Sequence, residues 1–327
     1  MELRSLGNSG LLVSRLALGT MTWGRDTDEH EAAGQLRSFL EAGGNLLDTA
    51  AKYGDGDSER VIGGFLGTLI NRNDILLATT AGSSSRAPQG SEPSPLQRQR
   101  QRDNSRSSLV EELNGSLERL GVDHIDLWQI QGWDEGTPIE ETLATMDYAV
   151  HSGKVRYIGL SNVSGWQLAR AATMQNPLFG KAPISSIQTE YSLMNRVSEE
   201  EIAPAARELG VGLLAWSPLG RGVLTGKYRL GIPSDSRGAT PHFAEFISPY
   251  LDPRGRSIVE AVCVAAEGLG YSPLEVALAW VRDNVEIASA IVGARTAAQL
   301  KGVLASEEII LPDQVRFALD DVSAALL

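Results

Sequence analysis

Residues 26–48 read Asp26-Thr27-Asp28-Glu29-His30-Glu31-Ala32-Ala33-Gly34-Gln35-Leu36-Arg37-Ser38-Phe39-Leu40-Glu41-Ala42-Gly43-Gly44-Asn45-Leu46-Leu47-Asp48. Three polar residues, Asp26-Thr27-Asp28, open an amphipathic stretch, Glu29–Glu41, in the manner of a helix start. Gly43-Gly44 then marks a helix stop and a turn. A short apolar run, Asn45–Asp48, follows and ends on a carboxylate, as a buried strand does when its last residue reaches a solvent-facing rim.

The same alternation recurs in both directions. Strand-like runs occur at Leu12–Leu18, Asn45–Asp48, Ile75–Thr79, His124–Ile130, Val155–Leu160, Ile184–Gln188, Gly212–Trp216 and Ala288–Val292. Helical stretches lie between them, as where Ser105 precedes Leu109–Leu120 and Gly121 ends it. Eight strand–helix units with strands apolar on both faces point to an α/β fold, a (β/α)8 barrel, with a doubly wound sheet as the competing architecture. The whole of 1–327 reads as one barrel domain with a helix at its C-terminal end. A hairpin precedes it: Met1–Leu6 and Leu11–Ser14 flank Gly7-Asn8-Ser9-Gly10, positioned to plug the barrel bottom.

Two long connections break the rhythm. Ala81–Asn104 is rich in Ser, Arg, Gln and Pro and reads as a flexible surface loop, with a binding loop as the alternative. Pro218–Pro253 follows the seventh strand, where barrel loops build active sites, and reads as a lid over a bound ligand.

The chain has 327 residues, 29 basic and 41 acidic, for a net charge of −12. That balance argues against nucleic acid or an anionic membrane as the main partner, because phosphates are repelled. A single cysteine, Cys263, excludes an internal disulfide and any multi-cysteine metal site, and it lies in an apolar helical run that reads as core. His30, His124, His151 and His242 show no metal spacing, so no metal site is expected. No apolar run is long enough to span a membrane, and Met1–Ser14 has no signal-peptide core, so the expectation is a cytoplasmic enzyme. Nothing in the chain signals an oligomeric state.

Candidate chemistry begins at Leu46-Leu47-Asp48-Thr49-Ala50-Ala51-Lys52-Tyr53-Gly54-Asp55-Gly56-Asp57-Ser58-Glu59. A carboxylate closes a strand and a tyrosine follows on a glycine-rich turn, both at the barrel mouth. Such a pair suits a phenol that shares its proton with a carbonyl oxygen inside a carboxylate-held network. The bland alternative makes Asp48 a helix cap and Tyr53 a rim aromatic. Gly220-Arg221-Gly222-Val223-Leu224-Thr225 fails the dinucleotide fingerprint at its last position, and Gly226-Lys227-Tyr228 lacks the rest of a phosphate loop.

The Asp48…Tyr53 segment resembles the signature of the aldo-keto reductases, and the likeness runs along nearly the whole chain. Gly19-Thr20-Met21-Thr22-Trp23-Gly24, Gly115–Gly121 with Asp126-Leu127, Gly159-Leu160-Ser161-Asn162, Gln188, Trp216-Ser217-Pro218-Leu219 and Gly293-Ala294-Arg295 follow in that family's order. The branch it most resembles holds bacterial reductases and potassium-channel β subunits. The resemblance implies a nicotinamide dinucleotide, NADPH, and a small organic substrate. By position, Ser161, Asn162 and Gln188 would hold the nicotinamide carboxamide and Trp216 would face the ring. Gly19, Thr20, Ser217 and Gly293 would adjoin the cofactor. Leu219, Lys227 and Arg237 would lie along its phosphates, and Arg295 with Gln299 would flank the adenosine phosphate and adenine. Arginine forks onto a phosphate, which favours NADPH over NADH. Val303 departs from the family, standing where many relatives carry an adenine-binding Asn.

Two departures are chemical. Thr80 ends the third strand where the family places a catalytic lysine, and Gln131 ends the fourth where it places a histidine. A free tyrosine titrates near ~10, and a neighbouring cation lowers that value. Thr80 supplies no charge, and Gln131 donates a hydrogen bond but cannot ionise. Lys52 adjoins Tyr53 but is expected to point away from it. Trp23 and Trp133 are expected as apolar walls for the substrate, with rim packing as the alternative. Three readings follow: an oxidoreductase acting on an acceptor that needs little acid help, a carbonyl reductase with a remodelled proton donor, and a cofactor-binding sensor or docking protein with little turnover.

Overall fold

The computed structural model of the protein describes residues 1–82, 102–233, 237–239 and 241–324, without the side chains of 237 and 241–243. The chain begins with β1 (Leu3–Ser5) and β2 (Leu12–Ser14), an antiparallel hairpin. Eight parallel strands then close on themselves in chain order: β3 (Leu16–Gly19), β4 (Leu46–Ala50), β5 (Leu76–Ala81), β6 (Ile125–Gln131), β7 (Val155–Ser161), β8 (Ile184–Glu190), β9 (Gly212–Trp216) and β10 (Ile287–Val292), with β10 returning to β3. Closure excludes the doubly wound sheet.

The helices run outside the strands: α1 (Glu29–Glu41), α2 (Asp57–Phe65), α3 (Arg106–Leu120), α4 (Ile139–His151), α5 (Gly165–Met174) and α6 (Ile202–Leu209). The second half adds α7 (Pro241–Ile247), α8 (Pro253–Leu269), α9 (Pro273–Arg282), α10 (Ala297–Leu304) and the C-terminal α11 (Asp313–Ser323). Helix α1 starts and stops where the sequence says it should. The Asp28 carboxylate accepts the Glu31 amide at 2.9 Å, and Gly43 turns the chain with φ of 80°. Its Leu36 and Phe39 are fully buried against the barrel.

The run Leu12–Leu18 is not one strand. It breaks at Arg15, whose guanidinium bonds Glu307 while its amide bonds Glu2, so the chain leaves the hairpin and enters the barrel there. The hairpin seals the barrel bottom. Leu6, Leu11 and Val13 pack in one cluster with the inward residues Ala17, Leu46, Ala78, Leu127 and Leu214. Gly7 has no room for a side chain, since a Cβ would come within 2.4 Å of the Gly210 carbonyl oxygen.

Most of the expected loop at Ala81–Asn104 (83–101) lies outside the described residues, and its two ends are fixed. Ala81 closes β5, and Asn104 is buried with its side-chain amide on the Gly132 carbonyl. Pro218–Pro253 is not a bare loop: it contains short helical turns at Gly220–Thr225 and Ser248–Tyr250 as well as α7. Cys263 in α8 is half-buried rather than core. Among the described residues, no single helix is long and apolar enough to cross a membrane.

Candidate active site

The C-terminal strand ends surround a cleft of about 490 Å³, within the range of small-molecule sites (~300–1,000 Å³). Asp48 projects into it from β4, and the chain then turns sharply over Tyr53–Gly56. That turn needs left-handed backbone at Gly54, Asp55 and Gly56 (φ 57°, 56° and 89°), which explains its glycines. It leaves Lys52 and Tyr53 both lining the cleft, contrary to the expectation that they point apart. Strands put successive side chains on opposite faces, but Lys52 has helical backbone, so neighbours there can share a face.

Asp48 is 4% exposed, and the Gln188 amide donates to its Oδ1 at 2.7 Å. Burial pushes the Asp48 carboxyl up to about 7, with the Gln188 bond opposing. Burial first, and the Asp48 carboxylate second, raise Tyr53 well above the ordinary phenol value. Thr80 and Gln131 line the same cleft from β5 and β6, at the levels where Thr80 pairs Ala50 and Gln131 pairs Ser161.

Across the mouth, Trp216 ends β9 and its indole N–H donates to Asn162 Oδ1 at 2.8 Å. Asn162 and Ser217, which directly follow β7 and β9, both have positive φ (54° and 52°). Such strained non-glycine residues concentrate at functional sites. Gly19, Leu219, Lys227, Gly293, Arg295, Gln299 and Val303 also line it, as do Arg221 and Phe246, and the Gln299 side chain accepts the Arg295 amide at 3.0 Å.

Four expected residues lie elsewhere. Thr20 is fully buried, bonding the Asp48 carbonyl and Ser58 behind the wall. Ser161 is buried too, touching Gln188 at 3.5 Å without lining the cleft. Trp23 is a core residue rather than a substrate wall: it is 0% exposed, gives its N–H to Gln35 and meets Phe65 edge-on. Trp133 packs on Trp166 and under Arg170 and does not line the cleft. The Arg237 side chain lies outside the described residues.

Arg221 was missed. It sits in the glycine pattern dismissed for lacking a dinucleotide fingerprint, and its chemistry is that of a strap. Its guanidinium forks onto Glu190 at 2.8 and 2.6 Å and lies over Phe246, Tyr250 and Trp216 at 4.0, 4.8 and 5.9 Å. The Phe246 carbonyl accepts from the same group. One side chain therefore ties the 218–253 connection to the end of β8.

The sequence profile of the Aldo/keto reductase family matches residues 15–324. The chain belongs to the aldo/keto reductase family. Within the aldo/keto reductases it is 36% identical, over 98% of its length and 96% of the relative's, to "Uncharacterized oxidoreductase YrpG" of Bacillus subtilis (strain 168). It is 35% identical, over 90% of its length and 87% of the relative's, to "Probable voltage-gated potassium channel subunit beta" of Oryza sativa subsp. japonica. "Protein tas" of Escherichia coli (strain K12) is 31% identical over 98% of this chain and 97% of its own. Membership makes this aldo/keto reductase an oxidoreductase by family, on the barrel its own residues build.

Proposed function

We propose that the chain is a cytoplasmic, NADPH-dependent oxidoreductase that reduces a small organic carbonyl, imine or conjugated acceptor. The cleft suits a nicotinamide dinucleotide on its own polar atoms. Asn162 accepts the Trp216 indole on Oδ1, and among the described residues its NH2 has no partner. Gln188 donates its NH2 to Asp48 and keeps Oε1, apart from the long Ser161 contact. One spare donor and one spare acceptor match the two polar ends of a carboxamide. Lys227 and Arg295 supply positive charge farther along the lining for phosphates. When bound, the nicotinamide supplies the hydride.

Tyr53 is the proton donor in this reading, giving its O–H to the acceptor's heteroatom as negative charge develops there. Asp48 and Gln188 hold the network beneath it. Thr80 and Gln131 stand where the family's usual lysine and histidine are, so neither position supplies a cation to draw the phenol's pKa down. The reading therefore favours acceptors that take a hydride with little acid assistance, such as activated carbonyls, imines and enones.

The observation that carries the proposal is the shared lining: Asp48, Tyr53, Thr80, Gln131, Asn162, Gln188 and Trp216 face one cleft. The test is titration of protein fluorescence with NADPH, then a turnover screen over aldehydes, ketones, imines and enones. Saturable binding with turnover fastest on the activated classes is expected; absence of binding sinks the cofactor assignment. The relatives named as potassium channel β subunits favour a second reading, a cofactor-binding protein that docks a partner. Tight NADPH binding with no turnover on any class would select it.

A further inference from the structure

Positive charge gathers at the acceptor end of the cleft in a chain whose net charge is −12. Lys52 lines the cleft beside Tyr53, Thr80 and Gln131. Arg102 stands behind the same corner: its guanidinium donates to the Gln131 carbonyl at 3.0 Å and packs so tightly on Gly132 that a Cβ there would come within 2.5 Å of Cζ. Lys52 stays exposed at the rim, and its partial enclosure by the cleft, then repulsion from Arg102, lower its pKa, with Glu112 opposing. Glu112 is itself pushed up to about 7, chiefly by burial, while it accepts the Gly82 amide at 3.0 Å, so near neutrality it offers only part of a counter-charge. Among the described residues neither Lys52 nor Arg102 is in an ion pair. Two cations at one corner with a weakened counter-ion leave a positive local potential on the cleft wall, which attracts an anion.

We infer that the acceptor is an organic anion, a carbonyl, imine or enone compound whose carboxylate is held by Lys52 with Arg102 behind it. This rests on the proposed reduction and names its substrate class. For a carbonyl acceptor the carbon gains the hydride of NADPH, the oxygen gains the proton of Tyr53, and NADPH is oxidised to NADP+. The carboxylate and Lys52 keep their charges throughout.

The test compares 4-carboxybenzaldehyde with 4-nitrobenzaldehyde, similar in shape but uncharged, on the intact protein with NADPH. Lys52→Met and Lys52→Gln should lower kcat/KM for the carboxylated aldehyde about ten-fold more than for the nitro compound, mainly through KM, as losing a charged hydrogen bond does. Lys52→Arg should restore the ratio to within about three-fold of wild type. Equal losses on both aldehydes, or none, overturn the inference and leave the reductase reading standing. If neither aldehyde turns over, that reading fails instead, and benzoate binding by calorimetry decides the anion site. Binding weakened about ten-fold by Lys52→Met upholds the anion site, and binding unchanged or absent in wild type overturns it.

Discussion

The Gln188 side-chain amide reaches across the barrel mouth, from β8 to β4, and donates to Asp48 Oδ1 at 2.7 Å. The bond joins strands on opposite sides of the closed sheet and fixes the floor beneath Tyr53. Burial pushes the Asp48 carboxyl up to about 7 in the fold, from an ordinary value of 3.8. A raised folded value means that its contribution to stability is fully present below about pH 3.8 and is lost as pH rises through about 7. Asp48→Asn keeps the acceptor for Gln188 without the ionisation. It should melt progressively higher than wild type from pH 5 to pH 8, by at most about 4 kcal/mol, while losing turnover. Thermal melts across that range check it.

Tyr53→Phe removes the proposed proton donor and leaves the ring. Turnover should fall by ~10²–10⁴ with little change in NADPH affinity. Since burial and Asp48 both raise the Tyr53 pKa, the wild-type pH–rate profile should show no phenol inflection below about pH 10. Steady-state rates from pH 5 to pH 10 test both points.

Thr80→Lys combined with Gln131→His puts an ammonium and an imidazole on the cleft wall. A cation lowers both neighbouring acids, so the Asp48-linked change in melting should move to lower pH. Reduction of simple aldehydes should rise by about 10²-fold. An unchanged aldehyde rate would show that the acid side of the reaction does not limit this protein.

Arg221 and Glu190 are 15% and 10% exposed at their side chains. Removing either partner strands the other's charge in a poorly solvated place. Arg221→Met or Glu190→Gln should each cost about 2 kcal/mol, and the double variant less than the two together. With the strap untied, NADPH release should quicken about ten-fold, as read by stopped-flow fluorescence.

The barrel was legible because its strands are buried on both faces and so read as apolar runs; β9 matches its expected bounds residue for residue. What the pattern could not carry was direction. Trp23 and Trp133 are aromatic residues next to strand ends, and that alone does not separate a cleft wall from core. The partners Gln35 and Trp166, which decide the matter, are distant in sequence. Thr20 and Ser161 fell behind the wall because their neighbours Gly19 and Asn162 take the places facing the cleft. Lys52 and Tyr53 share the cleft because the helical backbone at Lys52 lets neighbouring side chains face one way, which adjacency in sequence does not reveal. Arg221 does carry a signal in the sequence, an arginine among glycines with Phe246 and Tyr250 on the same connection, but only the fold brings Glu190 to it.

Strand β3 is held between β4 and β10, and Arg4 reaches the carbonyls of Arg282 and Ile287. While the chain is being translated, β3 can pair with β4 as soon as both have left the ribosome, yet its other edge waits for residues 287–292. Until then the nascent chain is an open sheet with two unpaired edges and an uncovered apolar lining, the form most prone to sticking to its neighbours. Joining the sheet's first strand to its last therefore predicts that a chain ending before residue 287 aggregates where the full chain does not, as sedimentation after expression checks.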